Sequence, residues 1–156
     1  MVQLSTEVIE LFKDPEAVKA LATVDEKGNP HVAFKGSLTV LEDGSVAYVE
    51  ALESSQTNSN MLRSLWFDKD VAVSLQGKDG ISYQIKGKPS RYVITGPLFK
   101  QFFLAVRERM GPEGDIAGVW IITPEEVKNE SFAVRKKEEE EKHPYFRHFD
   151  RLRKKG

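Results

Sequence analysis

No cysteine occurs anywhere in the 156 residues. Disulfides, thiolate metal sites, cysteine-ligated iron–sulfur clusters and a cysteine nucleophile are thereby excluded together, and any redox chemistry must come from a bound cofactor. Long apolar runs are missing too: none approaches the roughly 20 residues that a membrane-spanning helix needs. Met1 to Pro15 carries Glu7, Glu10 and Asp14 among its apolar residues, a pattern unlike a secretory signal, so the expectation is a cytoplasmic protein. Excess charge of either sign is absent. With 23 Lys and Arg against 24 Asp and Glu, the net charge is -1, which provides no overall basic field for nucleic acid. The sequence has no G-x-S-x-G, P-loop or G-x-G-x-x-G motif, so nucleophile-elbow hydrolases, Walker-type nucleotidases and Rossmann folds lose support. His31, His143 and His148 are the only histidines; they lack ligand spacing, and no metal site is expected.

What remains is a chain of ordinary globular composition, 40% hydrophobic and 30% charged, long enough for one core. A short amphipathic helix is expected over Thr6–Phe12 behind the cap Ser5. Strands follow at Ala17–Val24, at "HVAFKGSLTVL", at "VAYVEAL", at "VAVSLQ" and at "ISYQIKGKPSRYVIT", separated by the turns "DEKGNP", "EDGS" and "GKDG". In the second of these, Val32, Phe34, Gly36, Leu38 and Val40 alternate with His31, Ala33, Lys35, Ser37 and Thr39, and the former set is read as facing the core. Leu98–Met110 returns to helical spacing, and "IAGVWIIT", closed by "PEEV", is the sixth strand. The fold expected is mainly β: a closed or nearly closed six-stranded antiparallel barrel with flanking helices over residues 1–127. Residues 128–156 form a charged C-terminal extension with a short helix, carrying "KKEEEEK" and then an apolar stripe of Tyr145, Phe146, Phe149 and Leu152.

The helix between the third and fourth strands has an unusually polar start, Ser54 to Asn60. Its face of Met61, Leu62, Leu65 and Trp66 is expected to pack on the barrel, with Trp66 in the core. The first turn, near Gln56, Thr57 and Asn58, then points outward with unpaired backbone N–H groups. Such an end suits an anion such as phosphate, although ordinary capping is the commoner role of Ser, Thr and Asn. Lys35 is expected outside the core, on a face beside the small Gly36 and Ser37 where a flat ligand could approach. Ser82, Gln84 and Lys86 line the outward face of their strand, and Trp120 is a core aromatic or a ring-stacking partner.

The order of hairpin, third strand, polar-entry helix, "WFDKDVAVSL" and a long "YQIKGK" strand resembles the pyridoxamine 5′-phosphate oxidase-like family of FMN-binding split barrels, over about Leu4 to Val127. Within it the small FMN-binding proteins are more similar than the true oxidase. The resemblance implies a split barrel and a homodimer with FMN in a cleft between subunits. It also implies that Gln56 and Thr57 hold the phosphate, with Asn60 beside them, and that the Val49 and Glu50 backbone borders the flavin. By the same resemblance Lys35 matches a lysine facing the substrate phosphate in the oxidase, Ser82 lies near the flavin or phosphate, and Trp120 lies near the isoalloxazine. Gln56 and Thr57 stand where the oxidase has an arginine and a lysine, so a phosphate would rely on the helix dipole and on cations from elsewhere. The C-terminal "HPYFRHFDRLRKKG" does not match the oxidase's substrate-completing segment. The function implied is an FMN-dependent oxidoreductase or electron carrier in which the flavin carries the chemistry and no side chain is the catalyst. The rivals are a true pyridoxamine 5′-phosphate oxidase and a non-enzymatic binding module for FMN, haem or a deazaflavin.

Overall fold

The computed structural model describes residues 1–143; the stripe Tyr145, Phe146, Phe149 and Leu152 lies outside the described residues. In chain order the elements are α1 (Thr6–Lys13), β1 (Val18–Val24), β2 (Pro30–Phe34), β3 (Thr39–Val40), β4 (Val46–Glu50), α2 (Gln56–Trp66), β5 (Val71–Gln76), β6 (Ser82–Val93), α3 (Pro97–Met110), β7 (Gly118–Asn129) and α4 (Phe132–Lys142). One sheet holds seven strands, one more than expected, in the order β2-β1-β5-β6-β7-β4-β3. All pairs are antiparallel.

The extra strand comes from "HVAFKGSLTVL", which breaks after Phe34. Leu38 N–H donates to the Lys35 carbonyl in a turn, and β2 and β3, consecutive in sequence, end at opposite edges of the sheet. The sheet therefore curls so that residues 35–38 pass between its edges, which is the split-barrel arrangement. The alternation along β2 is as expected but its sides are reversed. Phe34 is 76% exposed and Val32 also faces solvent, whereas Lys35 turns inward. Alternation alone fixes which residues share a face; it does not say which face meets the core.

β7 continues through "PEEVKN" to Asn129 instead of stopping at the proline. It does so because the β6–β7 register shifts between Lys86 and Gly87, opposite Pro124. Gly87 is required at that irregularity: a Cβ there would collide with the Thr123 carbonyl.

Two cores lie on either side of the sheet. Inside, Leu21, Val46, Tyr48, Val73, Leu75, Ile85, Trp120 and Ile122 pack with Val8 and Phe12 of α1 and Met61 of α2. Outside, Phe99, Phe102, Phe103 and Val106 of α3 cover Ala47, Val119 and Ile121. β4 and β7 are buried on both faces, which is why "VAYV" and "VWII" read as continuous apolar runs.

Candidate functional site

The polar entrance of α2 is built into the barrel end. Ser55 caps the helix by accepting from Asn58 N–H, so the first turn is capped as well as polar. Thr57, Asn58 and Asn60 are all buried, against the expectation of an outward-facing first turn; only Gln56 of the first three helical residues is exposed. Asn58 accepts from the Trp120 indole N–H at 2.9 Å and donates to the Glu53 carbonyl. Asn60 donates to the Thr23 hydroxyl at 3.0 Å and accepts from the Gln56 amide at 2.7 Å. The inward face of α2 is thus small and polar, with Met61 as its apolar anchor, and Leu65 packs on its margin. Trp66, expected in the core, is 80% exposed, and Leu62 is exposed too. The two asparagines explain the inversion. Each reaches a polar atom buried in the barrel that would otherwise lack a partner.

Beside this entrance lies a second cluster. Lys35 Nζ stands 3.5 Å from Glu50 Oε2, with side-chain exposures of 17% and 2%, and 5.4 Å from the centre of the Tyr48 ring. Glu50 accepts from Leu52 N–H through its other oxygen, and its backbone carbonyl accepts from Ala117 N–H. The Tyr48 hydroxyl is buried without a hydrogen-bond partner. Burial first, then the neighbouring Glu50 carboxylate, push the Tyr48 phenol well above its usual range. Tyr92 is pushed up as well, by burial and then by Glu50 and Glu53, and its ring stacks on Trp120 with centroids 4.4 Å apart. Val49 turns its side chain toward α3, while its N–H donates to the Ser37 hydroxyl.

Of the residues singled out from the sequence, Lys35 and Glu50 pair at the end of β4, and Gln56, Thr57, Asn60 and, through Asn58, Trp120 gather at the start of α2; Val49 lies on β4 with its side chain on the other face of the sheet. Ser82 does not join them: it sits at the opposite end of β6, tied to Ser131 through both its N–H and its carbonyl. Tyr48 and Tyr92 belong to the cluster and were not singled out for it, whereas Asn58, expected in an outward first turn, faces inward. Tyr48 was within reach, because it lies two residues before Glu50 on the same strand face.

A groove of about 440 Å³ opens outside the entrance, lined by Gln56, Ser59, Asn60 and Arg63 of α2 and by residues of the β1–β2 turn that include Asp25 and Lys27. Lys27 and Arg63 bring two positive charges beside a helix start that has none of its own between Ser54 and Asn60, and Asp25 and Glu26 bring two negative ones. Asp25 is tied into its turn, accepting from the Lys27 and Asn29 N–H groups and from the Asn29 amide.

No family model and no curated protein matches the chain. Solved structures do. HupZ of Group A Streptococcus matches with TM-score 0.68 at 21% identity, over 83% of this chain and 96% of that one. A pyridoxamine 5′-phosphate oxidase-type protein of Lactobacillus delbrueckii matches with TM-score 0.64 at 26% identity, over 81% and 93%. An FMN-binding protein of Syntrophomonas wolfei matches with TM-score 0.65 at 12% identity, over 81% and 88%. An F420 reductase and HutZ, a haem storage protein of Vibrio cholerae, share the fold at lower scores. With its curled antiparallel sheet and flanking helices, the chain shares the split-barrel fold of pyridoxamine 5′-phosphate oxidase-like and FMN-binding proteins, as the resemblance implied.

Proposed function

We propose that the chain binds FMN and works as a homodimeric flavoprotein, an oxidoreductase or electron carrier. The observation that carries this reading is the groove at the entrance of α2, where Gln56 and Asn60 meet Lys27 and Arg63. Amide, hydroxyl, ammonium and guanidinium donors that suit a phosphate line it beside the positive end of a helix dipole, with Asp25 occupied by its own turn and Glu26 as the remaining carboxylate. Gln56 and Ser59 would hold the phosphate, Lys27 and Arg63 would neutralise it, and Thr57 and Asn60, both buried, would set the shape of the seat. Lys35, Val49, Glu50 and Trp120 would border the ring system. Ser82, remote from the rest within one chain, would reach the cofactor only from a second copy. Bound flavin supplies hydride or single-electron transfer; the protein supplies position, charge and exclusion of water.

A second copy is supported by the outer face of β1 and β2. Val18, Val24, Val32 and Phe34 are exposed side by side there, a contiguous apolar patch of the kind that marks an interface. A second reading, a binding module for haem or a deazaflavin, draws support from the haem storage protein and the F420 reductase that share the fold.

The absorption spectrum of freshly purified protein separates the two: paired blue and near-ultraviolet bands mean oxidised flavin, and a Soret band means haem. The seat itself is tested by Arg63→Glu, a partly exposed position. Reversing that charge should weaken FMN binding by about tenfold or more through like-charge repulsion, with the thermal melt of the flavin-free protein unchanged. Wild-type affinity in a fluorescence titration of this variant would remove the groove from consideration.

A further inference from the structure

We propose that Glu50 neutralises Lys35 at the substrate side of the cleft, so that the redox substrate or acceptor taken there is uncharged at that end and not phosphorylated. The inference rests on the flavin reading above for the position of the cleft. Its own basis is the arrangement of charge inside the barrel end. Among the described residues Lys35 is the only cation of the cluster, and its ammonium group is already engaged by a carboxylate that is almost wholly buried. The lysine's other neighbour is the face of the Tyr48 ring, which favours the cation without adding charge. Tyr48 and Tyr92 are held neutral by burial and by the nearby carboxylates, and Glu53 adds a second negative charge close to Tyr92.

A phosphate that drew Lys35 away would leave the Glu50 carboxylate buried with only the Leu52 N–H as partner. That loss counts directly against binding, because an unpaired buried charge is strongly disfavoured. An uncharged ligand faces no such competition: it can accept from Lys35 while the ion pair stays closed. Glu50 is on this account a specificity-determining residue. Its carboxylate turns a lysine that would otherwise recruit anions into a local hydrogen-bond donor of no net charge.

The test uses FMN-loaded protein titrated with pyridoxine 5′-phosphate and with pyridoxine, read by the change in flavin absorption. The wild type should bind the two within about threefold of one another, and Glu50→Gln should gain about tenfold or more for the phosphorylated form alone. That gain should fall with salt. The double variant Lys35→Met/Glu50→Gln, which removes both charges, should return to the wild-type pattern. A wild type that prefers the phosphorylated form by about tenfold overturns the proposal whether or not the variants fold. So does a folded, flavin-loaded Glu50→Gln that gains nothing, including the case in which the wild type binds neither compound. Protein that takes up no FMN defeats the flavin reading instead. The charge argument is then read from tryptophan fluorescence on adding inorganic phosphate: only Glu50→Gln should respond, and a silent variant overturns it.

Discussion

The Tyr83 hydroxyl donates to Glu7 Oε2 at 2.6 Å and accepts from Asn129 at 3.2 Å, joining α1 to β6 and β7. The bond to Glu7, then burial, push the phenol up to about 12. A raised folded-state pKa means that the stabilisation is complete while the phenol is protonated in both states. It is lost as pH rises from the ordinary tyrosine value of about 10 through about 12. Tyr83→Phe should therefore be less stable than the wild type below pH of about 10, with the gap closing toward about 12. Urea titrations across that range decide it, and a gap that is independent of pH would show that the hydroxyl contributes through packing alone. The same scale shows what a sequence can and cannot reveal. The buried Asn58–Trp120 and Asn60–Thr23 bonds span 62 and 37 residues, and nothing local to α2 marks its asparagines as core donors. Period-two spacing, in contrast, puts Tyr48 and Glu50 on one face at sight.

Among the elements, α2 departs most from its hydrophobic pattern. Met61, Leu62, Leu65 and Trp66 read as an apolar stripe, yet the buried set is Thr57, Asn58, Asn60, Met61 and Ser64. The helix has turned to satisfy two buried amides, which an apolar moment does not weigh. Substitution separates the two faces. Met61→Ala should cost about 2–5 kcal/mol by opening a cavity in a site with no exposure. Trp66→Ala should stay within about 0.5 kcal/mol in the folded monomer, as surface changes do. Chemical denaturation of both variants gives the comparison; a large loss at Trp66 would mean that its ring is covered. The strand pattern was easier to read than the helix. β1, β5 and β6 were placed close to where they lie, because turn residues bound them and one face is buried. β2 was read inside out, because a strand whose both faces carry apolar residues gives alternation no preferred side. The division of its run into β2 and β3 was hidden for a related reason: Gly36 and Ser37 fit a strand face and a chain crossing equally well.

For the whole molecule, the reversed face of β2 carries the largest consequence. Val32 and Phe34 stand on the outer face of a sheet that α3 covers only over β4 and β7, next to the exposed Val18 and Val24 of β1. The small side chains of Ala20 and Ala22 lie between them on the same strand face, leaving a surface flat enough for a second sheet. A two-fold arrangement would set this face against its own copy. Phe34→Glu places a carboxylate from each copy in that contact. Because Phe34 buries little within one chain, the variant should still fold, its melt in the absence of ligand lowered only by what dimerisation adds to the wild type. Its mass in sedimentation should fall from twice 17.6 kDa to 17.6 kDa. If the cleft lies between subunits, FMN affinity should fall with it, by about tenfold or more, although residue 34 makes no contact with the phosphate groove. A wild type that sediments as a monomer would refute the two-fold arrangement. A Phe34→Glu monomer that keeps full FMN affinity would leave the cofactor wholly within one chain, with Lys27, Gln56 and Arg63 as its complete seat.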